Sequence, residues 1–240
     1  NIWQEGTVVK NGFDAVADEI IRSDADFVTL SEVRNYHDTR FCDRIVEALK
    51  KRGQTYYSFY TEDSGLLSRY PISDSTTVYP LNDDRGSIYR LVTKKGGQEF
   101  AIYTAHLDYR NCAYYDARGY DGNNWEKIER VNNLDSLLIL NRASVRDDAI
   151  IRFVNEAEKD KAAGRIVVLG GDFNEPSHLD WTEATKDMRD HYGLIVPWDV
   201  SVILEKAGYK DSYREKYPDP VTHPGFTCPA DCPDIALKKL

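Results

Sequence analysis

The stretch that decides the fold reads Val167-Val168-Leu169-Gly170-Gly171-Asp172-Phe173-Asn174. Its apolar start predicts a buried strand, and the two glycines would let a substrate approach the backbone closely. Alternation along an extended chain would turn Asp172 and Asn174 to the same side. A carboxylate there can accept a proton from an attacking water, while the amide holds a phosphate oxygen. Judged by this stretch alone, an Asx turn that merely reverses the chain is an equal alternative.

Helical and extended patterns alternate along the rest of the chain. Apolar residues at helical spacing predict helices at 12–24, 38–52, 145–163 and 198–207. Short apolar runs between turn residues predict strands at 27–30, 56–60, 65–68, 76–79, 87–93, 100–105 and 166–169. This order is typical of an α/β sandwich with sheets inside and helices outside. Because no linker interrupts the pattern, we expect one domain spanning residues 1–240.

Two further polar residues follow predicted strands, where side chains project from the end of a sheet into a cleft. Glu32 comes just after the run Phe27-Val28-Thr29-Leu30 and could supply a carboxylate ligand to a hard cation. His106 ends the strand at 100–105 and could protonate a leaving group or stabilise charge on phosphorus. Taken singly, Glu32 is more simply a surface residue opening a loop, and His106 a histidine satisfied in the core.

The charge balance limits the class of ligand. The 240 residues carry a formal net charge of -9, whereas a general nucleic-acid binder usually shows a basic face. The acidic charge therefore makes a nuclease less expected. It does not exclude one, because bound cations can screen an acidic site. The chain contains no long apolar run, and we therefore expect no transmembrane segment.

The four cysteines bear on the compartment. Cys228 and Cys232 flank a short loop that a disulfide could close; free thiols and a zinc site are the alternatives. A disulfide favours an extracytoplasmic location, either secreted or periplasmic. The chain has no signal peptide and begins inside Asn1-Ile2-Trp3, which reads as the end of a strand, so we expect residues to be missing upstream.

Taken together, these segments resemble the endonuclease/exonuclease/phosphatase superfamily over nearly the whole chain. The Gly-Asp-Phe-Asn string is similar to the family's most recognisable motif, and the others match in the family's order. The matching segments are Asn1-Ile2-Trp3, Ser31-Glu32-Val33, Leu66-Leu67-Ser68-Arg69-Tyr70-Pro71-Ile72, Thr104-Ala105-His106-Leu107 and Gly171-Asp172-Phe173-Asn174. The resemblance implies a four-layer sandwich: two packed β-sheets flanked by helices, with the site at one end of the sheets.

The resemblance also implies a role for each polar residue. Glu32 would bind the catalytic Mg²⁺ (or Mn²⁺), and Asn1 would help to position the metal or the phosphate. His106 would contact the scissile phosphate, Asp172 would orient or deprotonate water, and Asn174 would hold that water or a phosphate oxygen. The implied reaction is hydrolysis of a phosphate ester by in-line water attack, with the metal neutralising charge.

One departure from the family concerns the end of the chain. Family members finish with a late Asp and then an Asp-His pair, but this chain stops at Asp234-Ile235-Ala236-Leu237-Lys238-Lys239-Leu240. We expect the sequence to be truncated at both ends. The alternative is a degenerate member, a non-catalytic binding module that retains the fold.

The substrate is open among a small molecule, a lipid headgroup and nucleic acid, since the fold alone does not choose. A polar segment at 108–133 has no clear period and follows His106. Its aromatic residues, Tyr109 and Trp125 among them, could line a substrate-binding wall, or they could only pack the segment against the body. A secreted or periplasmic phosphodiesterase is the first choice. Oligomeric state is not indicated.

Overall fold

The computed structural model describes residues 1–83 and 85–227. Cys228 and Cys232, with their predicted disulfide, lie outside the described residues. Contacts between Cα atoms divide the chain into two compact units. The first unit comprises Asn1–Asp108 and Ile151–Phe173; the second comprises Tyr109–Ile150 and the described residues from Asn174 onward. The expected single domain over residues 1–240 stays a prediction.

The first unit contains two β-sheets. β1 and β2 pair antiparallel in one sheet, and the other has the order β3-β4-β5-β6, in which only β5 and β6 are parallel. The strand bounds are β1 Phe27–Val33, β2 Asp63–Ser68, β3 Ile72–Tyr79, β4 Gly86–Lys95, β5 Gln98–Leu107 and β6 Ile166–Asp172. The parallel register sets His106 opposite Asp172. Two predicted polar residues therefore reach the same sheet edge.

Helices cover the outer faces of both sheets. Helix bounds are α1 Gly12–Ser23, α2 Phe41–Lys51, α3 Ala113–Arg118, α4 Leu134–Asn141, α5 Arg146–Ala162, α6 Asp199–Lys206 and α7 Ser212–Lys216, with a 3-10 turn at Tyr36–Asp38. Apolar residues of α1 and α2 bury themselves against β1 and β2, Ile45 and Leu67 among them. On the other side Phe153 of α5 meets Tyr103 of β5 edge to face, with ring centroids 4.8 Å apart. The four-layer α/β sandwich predicted from the sequence is confirmed.

A buried ion-pair network joins α5 to the larger sheet. Asp160 accepts hydrogen bonds from both Arg90 and Tyr103, and from Arg165 at 2.9 Å. Burial by itself would raise the pKa of Asp160, but these donors outweigh it and lower the pKa to about 2. Asp160 therefore stays ionised and fixes the helix on the sheet.

Between the two sheets the side chains change in character along the strands. In one part of this interface the side chains are apolar, and Leu66 of β2 packs with Leu91 of β4 and Ile102 of β5. Nearer the strand ends the side chains are those of fully buried hydroxyl residues, which bond across the gap: Ser31, Ser64, Ser87 and Thr104. Hydroxyl-to-carbonyl bonds between sheets require the backbones to approach closely at that end.

The second unit is helical, with α3, α4, α6 and α7 and the first residues of α5. Its core gathers around Trp181 and Trp198, whose rings meet at 88°. Within the described residues, no helix has the length and apolar character to cross a membrane. Cys112 of this unit is buried with a free thiol, as is Cys42 of the first unit.

Several elements differ from the predictions. The predicted strand at 56–60 is wrong: the segment makes one isolated bridge, between Tyr57 and Ser68. The segment is rich in aromatic residues, but Tyr56 is buried and donates its hydroxyl to the Ala25 carbonyl, while Tyr57 and Tyr60 are exposed. The segment at 108–133 contains the helix α3, and α4 and α7 also form where no helix was predicted.

Candidate active site

Glu32 lies near the end of β1 at a break in the pairing with β2. The register shifts between Ser31 and Val33, and Glu32 itself has a left-handed φ of 70°. Such a bulge re-aims a side chain relative to the regular strand. The two carboxylate oxygens of Glu32 accept hydrogen bonds from neutral donors: Oε1 from Asn1 Nδ2 at 2.8 Å and Oε2 from the Gln4 backbone N–H at 2.7 Å.

Asn1 connects the two candidate carboxylates. Its Nδ2 donates to Oε1 of Glu32 and to Oδ2 of Asp172, each at 2.8 Å. Its Oδ1 accepts from the Trp3 backbone N–H at 2.8 Å, which fixes the amide orientation. The structure therefore brings together Asn1, Glu32 and Asp172, although they are far apart in the sequence.

The loop after Asn1 is a left-handed turn held in place by a buried acid. Trp3, Gln4 and Glu5 have φ values of 43°, 56° and 61°, a conformation that L-residues rarely adopt in succession. The Glu5 carboxylate is buried and accepts from the backbone N–H groups of Arg34 and Asn35 and from the Arg44 guanidinium. Glu5 thereby holds the Gln4 N–H against Glu32, a role that the sequence analysis missed.

Asp172 ends β6, and the glycines before it serve strand packing. A Cβ on Gly171, which has a φ of 145°, would lie 1.9 Å from the carbonyl oxygen of Ala105. A Cβ on Gly170 would lie 2.8 Å from Thr29 Oγ1. The structure thus corrects the expectation that these glycines admit substrate: they admit the neighbouring strands.

His106 is held by an acid from the other sheet. The His106 ring Nδ1 lies 2.7 Å from Asp63 Oδ1, and both side chains are buried. Asp63 also accepts from Ser87 Oγ at 2.9 Å and from Arg34 Nη1 at 3.1 Å. A carboxylate only accepts, so Nδ1 of His106 carries a proton and donates it to Asp63.

The environment of His106 favours its protonated form. Burial acts to lower the pKa of the imidazole, but the hydrogen bond from Nδ1 to Asp63 and the charges of Asp63 and Asp172 outweigh it. The pKa of His106 is consequently raised above its ordinary value. This suits a group that donates a proton or stabilises negative charge near neutral pH. Asp63 was not a predicted site residue; its only sequence signal is an acid opening a strand that is otherwise apolar and small.

The three remaining predicted residues, Asn174, Tyr109 and Trp125, belong to the second unit. Because β6 ends at Asp172 and Asn174 has a left-handed φ of 48°, strand alternation does not extend to Asn174. The Asn174 carbonyl accepts from Cys112 Sγ at 3.3 Å. Trp125 is 37% exposed and meets Tyr115 edge to face. Their functional roles stay predictions.

A buried ion pair follows Asn174. Arg146 Nε lies 3.5 Å from Glu175 Oε2, and both side chains are almost fully buried. Glu175 also accepts from Asn141 Nδ2 at 2.6 Å and from the Val200 N–H at 2.7 Å. Arg146 donates to the carbonyl oxygens of Arg110 and Asn111 at 2.8 and 2.9 Å. This network fixes the backbone directly after Asn174 to that of the segment 110–111.

The donor chemistry of the first unit's cluster suits a hard cation. In the ranges 1–83 and 85–227, no three His, Cys, Asp or Glu side chains gather as a ready-made metal cage. Mg²⁺ and Mn²⁺, however, take one or two carboxylates and complete their shells with water and substrate phosphate. Glu32 and Asp172, joined through Asn1, offer oxygen donors of that kind.

Comparison with known proteins gives a relative in sequence and solved structures that align with the chain. The chain is 28% identical over 234 residues to the uncharacterized protein F14F9.5 of Caenorhabditis elegans, which covers 95% of this chain and 68% of that protein. The human Nocturnin catalytic domain with a bound sulfate anion aligns at a TM-score of 0.50 and 16% identity, over 90% of this chain and 69% of that one. Zebrafish (D. rerio) TDP2 complexed with a single strand DNA product aligns at 0.43 and 18% identity, over 71% of this chain and 58% of that chain.

Residues 2–232, nearly the whole chain, match the Endonuclease/Exonuclease/phosphatase family. The match supports a phosphoesterase or nuclease-type hydrolase, and it covers every strand of both sheets and all of the candidate site except Asn1. The chain therefore belongs to the Endonuclease/Exonuclease/phosphatase family.

Proposed function

We propose that this chain is a divalent-metal-dependent phosphoesterase that hydrolyses a phosphodiester or phosphomonoester by in-line water attack. The observation that carries the proposal is the Asn1 amide, whose Nδ2 bonds to both Glu32 and Asp172 at 2.8 Å, while Asp63 holds His106 beside Asp172. An acid for the cation, an acid for the water and a protonatable base thus lie within one unit.

In this proposal Mg²⁺ or Mn²⁺ would be held by Glu32, with Asn1 beside it, and would neutralise charge on the phosphoryl oxygens. Asp172 orients the attacking water and accepts its proton. His106, with Nδ1 bonded to Asp63, presents Nε2 to the phosphate and donates a proton or a hydrogen bond as negative charge develops. Asn174 would hold the water or a phosphate oxygen.

The substrate is proposed at the level of chemical class. A small-molecule phosphodiester or a lipid headgroup is favoured over long nucleic acid by the net charge of -9. Tyr109 and Trp125 would contact the group that carries the phosphate. A nuclease acting on DNA or RNA is the second candidate, since cations can offset the acidic surface.

A non-catalytic binding module that retains the fold is the competing class. The deciding assay measures hydrolysis of bis-p-nitrophenyl phosphate and p-nitrophenyl phosphate with Mg²⁺, with Mn²⁺ and with chelator. DNA, RNA, inositol phosphates and phospholipid vesicles form the substrate panel. We expect metal-dependent turnover that Glu32→Gln removes. Wild-type protein that binds Mn²⁺ yet turns over no ester in the panel would favour the binding module.

We also propose an extracytoplasmic location, secreted or periplasmic, which rests on the expected disulfide between Cys228 and Cys232. Mass spectrometry of a non-reduced digest measures that bond directly. Free thiols at both positions would remove the basis for the location.

A further inference from the structure

The candidate site contains one residue that contacts every catalytic segment of the first unit. Ser31 is fully buried in β1 and directly precedes Glu32. Its Oγ donates to the carbonyl oxygen of Ala105 at 3.2 Å and accepts from the Asp172 backbone N–H at 3.1 Å. The Ser31 carbonyl accepts from the Ile2 N–H at 3.0 Å.

Each of these partners is a catalytic residue or its neighbour in the chain. Ala105 precedes His106, and Ile2 follows Asn1, so Ser31 contacts the segments of both. Asp172 is bonded through its own N–H, and Glu32 is joined to Ser31 by a peptide bond. These groups come from different sheets, since β1 lies in one sheet and β5 and β6 in the other.

The chemistry at this point calls for a hydroxyl. One atom must donate to a carbonyl on β5 and accept from an N–H on β6, and only a hydroxyl does both in so little space. Another inter-sheet hydroxyl contact close by is that of Thr104 Oγ1, which donates to the Leu30 carbonyl at 3.3 Å. That bond joins the same two sheets at Leu30, one residue before Ser31 on β1, and at Thr104, two residues before His106 on β5. Neither partner is a catalytic residue.

We propose that Ser31 is a positioning residue for the hydrolytic reaction, whose hydroxyl sets Glu32 on one sheet against Asp172 and His106 on the other. This inference rests on the proposed function. Apolar packing alone lets two sheets shift slightly against each other, whereas a bifunctional hydroxyl fixes the strands at a defined separation. Displacement of a reacting group by about 1 Å can cost about 100-fold in rate, which is why the separation matters.

The test compares Ser31→Ala with Thr104→Val, which removes a buried inter-sheet hydroxyl bond whose partners, Thr104 and Leu30, are neither catalytic residues nor their direct neighbours in the chain. In the intact protein with bis-p-nitrophenyl phosphate, Ser31→Ala should lower kcat about 10- to 100-fold with little change in KM. Its Mn²⁺ affinity, measured by electron paramagnetic resonance, should fall by about 10-fold. Thr104→Val should keep both values near wild type, although both variants lower the melting temperature.

Equal kcat and Mn²⁺ affinity in the two variants would overturn the proposal, because Ser31 would then act only in stability. If Ser31→Ala does not fold, Ser31→Cys takes its place, since the thiol is similar in shape but a weak donor and acceptor. Wild-type kcat and Mn²⁺ affinity in Ser31→Cys would overturn it equally. A wild-type protein without turnover would instead contradict the proposed function, and the Mn²⁺ comparison of Ser31→Ala with Thr104→Val would still decide the role of Ser31.

Discussion

Replacing Asp63 by asparagine tests how the protein sets the protonation of His106. Asp63 is almost fully buried, and its Oδ1 lies 2.7 Å from His106 Nδ1. A hydrogen bond between charged partners contributes about 1.5–3 kcal/mol, and each pKa unit corresponds to about 1.36 kcal/mol. We therefore expect Asp63→Asn to lower the pKa of His106, because a neutral amide replaces the charged acceptor of the Nδ1 hydrogen bond.

The sign of the pH dependence follows from the raised pKa of His106 in the folded protein. The folded state binds this proton more tightly than the unfolded chain, so the interaction stabilises the protein below the unfolded pKa of about 6.5. That stability is lost as the pH rises through the folded pKa. Asp63→Asn should weaken this pH dependence and shift the limb of the kcat–pH profile that reports protonated His106 to lower pH.

The assay is an NMR titration of the imidazole nitrogens combined with the pH profile of kcat. Asp160→Asn is the matched control, because Asp160 is an equally buried carboxylate that bonds arginines away from the site. We expect the control to melt at a lower temperature with an unchanged His106 titration. An Asp63→Asn variant with the wild-type titration curve and kcat would refute the reasoning.

Three further predictions follow from the geometry. In a urea titration, Gly171→Ala should destabilise the fold by about 2–6 kcal/mol through backbone strain and collision with the Ala105 carbonyl. The control Gly53→Ala should cost less, because its added Cβ has no atom within 4 Å. Burial raises the pKa of Asp116 from 3.8 to about 6, so the folded state loses stability as the pH rises from about 4 to about 6. Asp116→Asn should therefore be more stable than wild type by up to about 3 kcal/mol at pH 8 and equal to it at pH 4. Asp172→Asn should lower kcat by about 10²–10⁴ without changing the melting temperature, and its combination with His106→Ala should lose less than the two losses summed; a lowered melting temperature with normal specific activity would make Asp172 a structural turn residue.

Local patterns were sufficient for most of the framework. The apolar period of 12–24 corresponds to α1, and the run after Arg165 corresponds to β6, because each pattern reflects burial of one face or of a whole strand. The strand ends likewise offered Glu32, His106 and Asp172 as candidates, and the resemblance of the ordered segments to the family favoured them over the structural alternatives. These features depend on neighbours in sequence.

The residues that hold the candidate site in place could not be predicted from local sequence patterns. Asp63 contacts His106 across a separation of 43 residues, and Glu5 reaches the backbone of Arg34 and Asn35 through a left-handed turn. Neither partner is encoded by a local period, because both depend on how the two sheets meet. The strand predicted at 56–60 was wrong for a related reason: the aromatic run reflects the burial of Tyr56 and not pairing along a strand.

The buried hydroxyls beneath the site restrict how such a protein can diverge. Where Ser31, Ser64, Ser87 and Thr104 fill the gap between the sheets, each side chain is bonded across it and none has room to grow. A larger residue would push the strands apart, and an apolar one would leave backbone groups without partners. New substrate preferences can therefore arise in the loops around the candidate site while the packing between the sheets beneath it stays the same. The strands thus maintain the geometry of the site, while the loops are free to vary with the substrate.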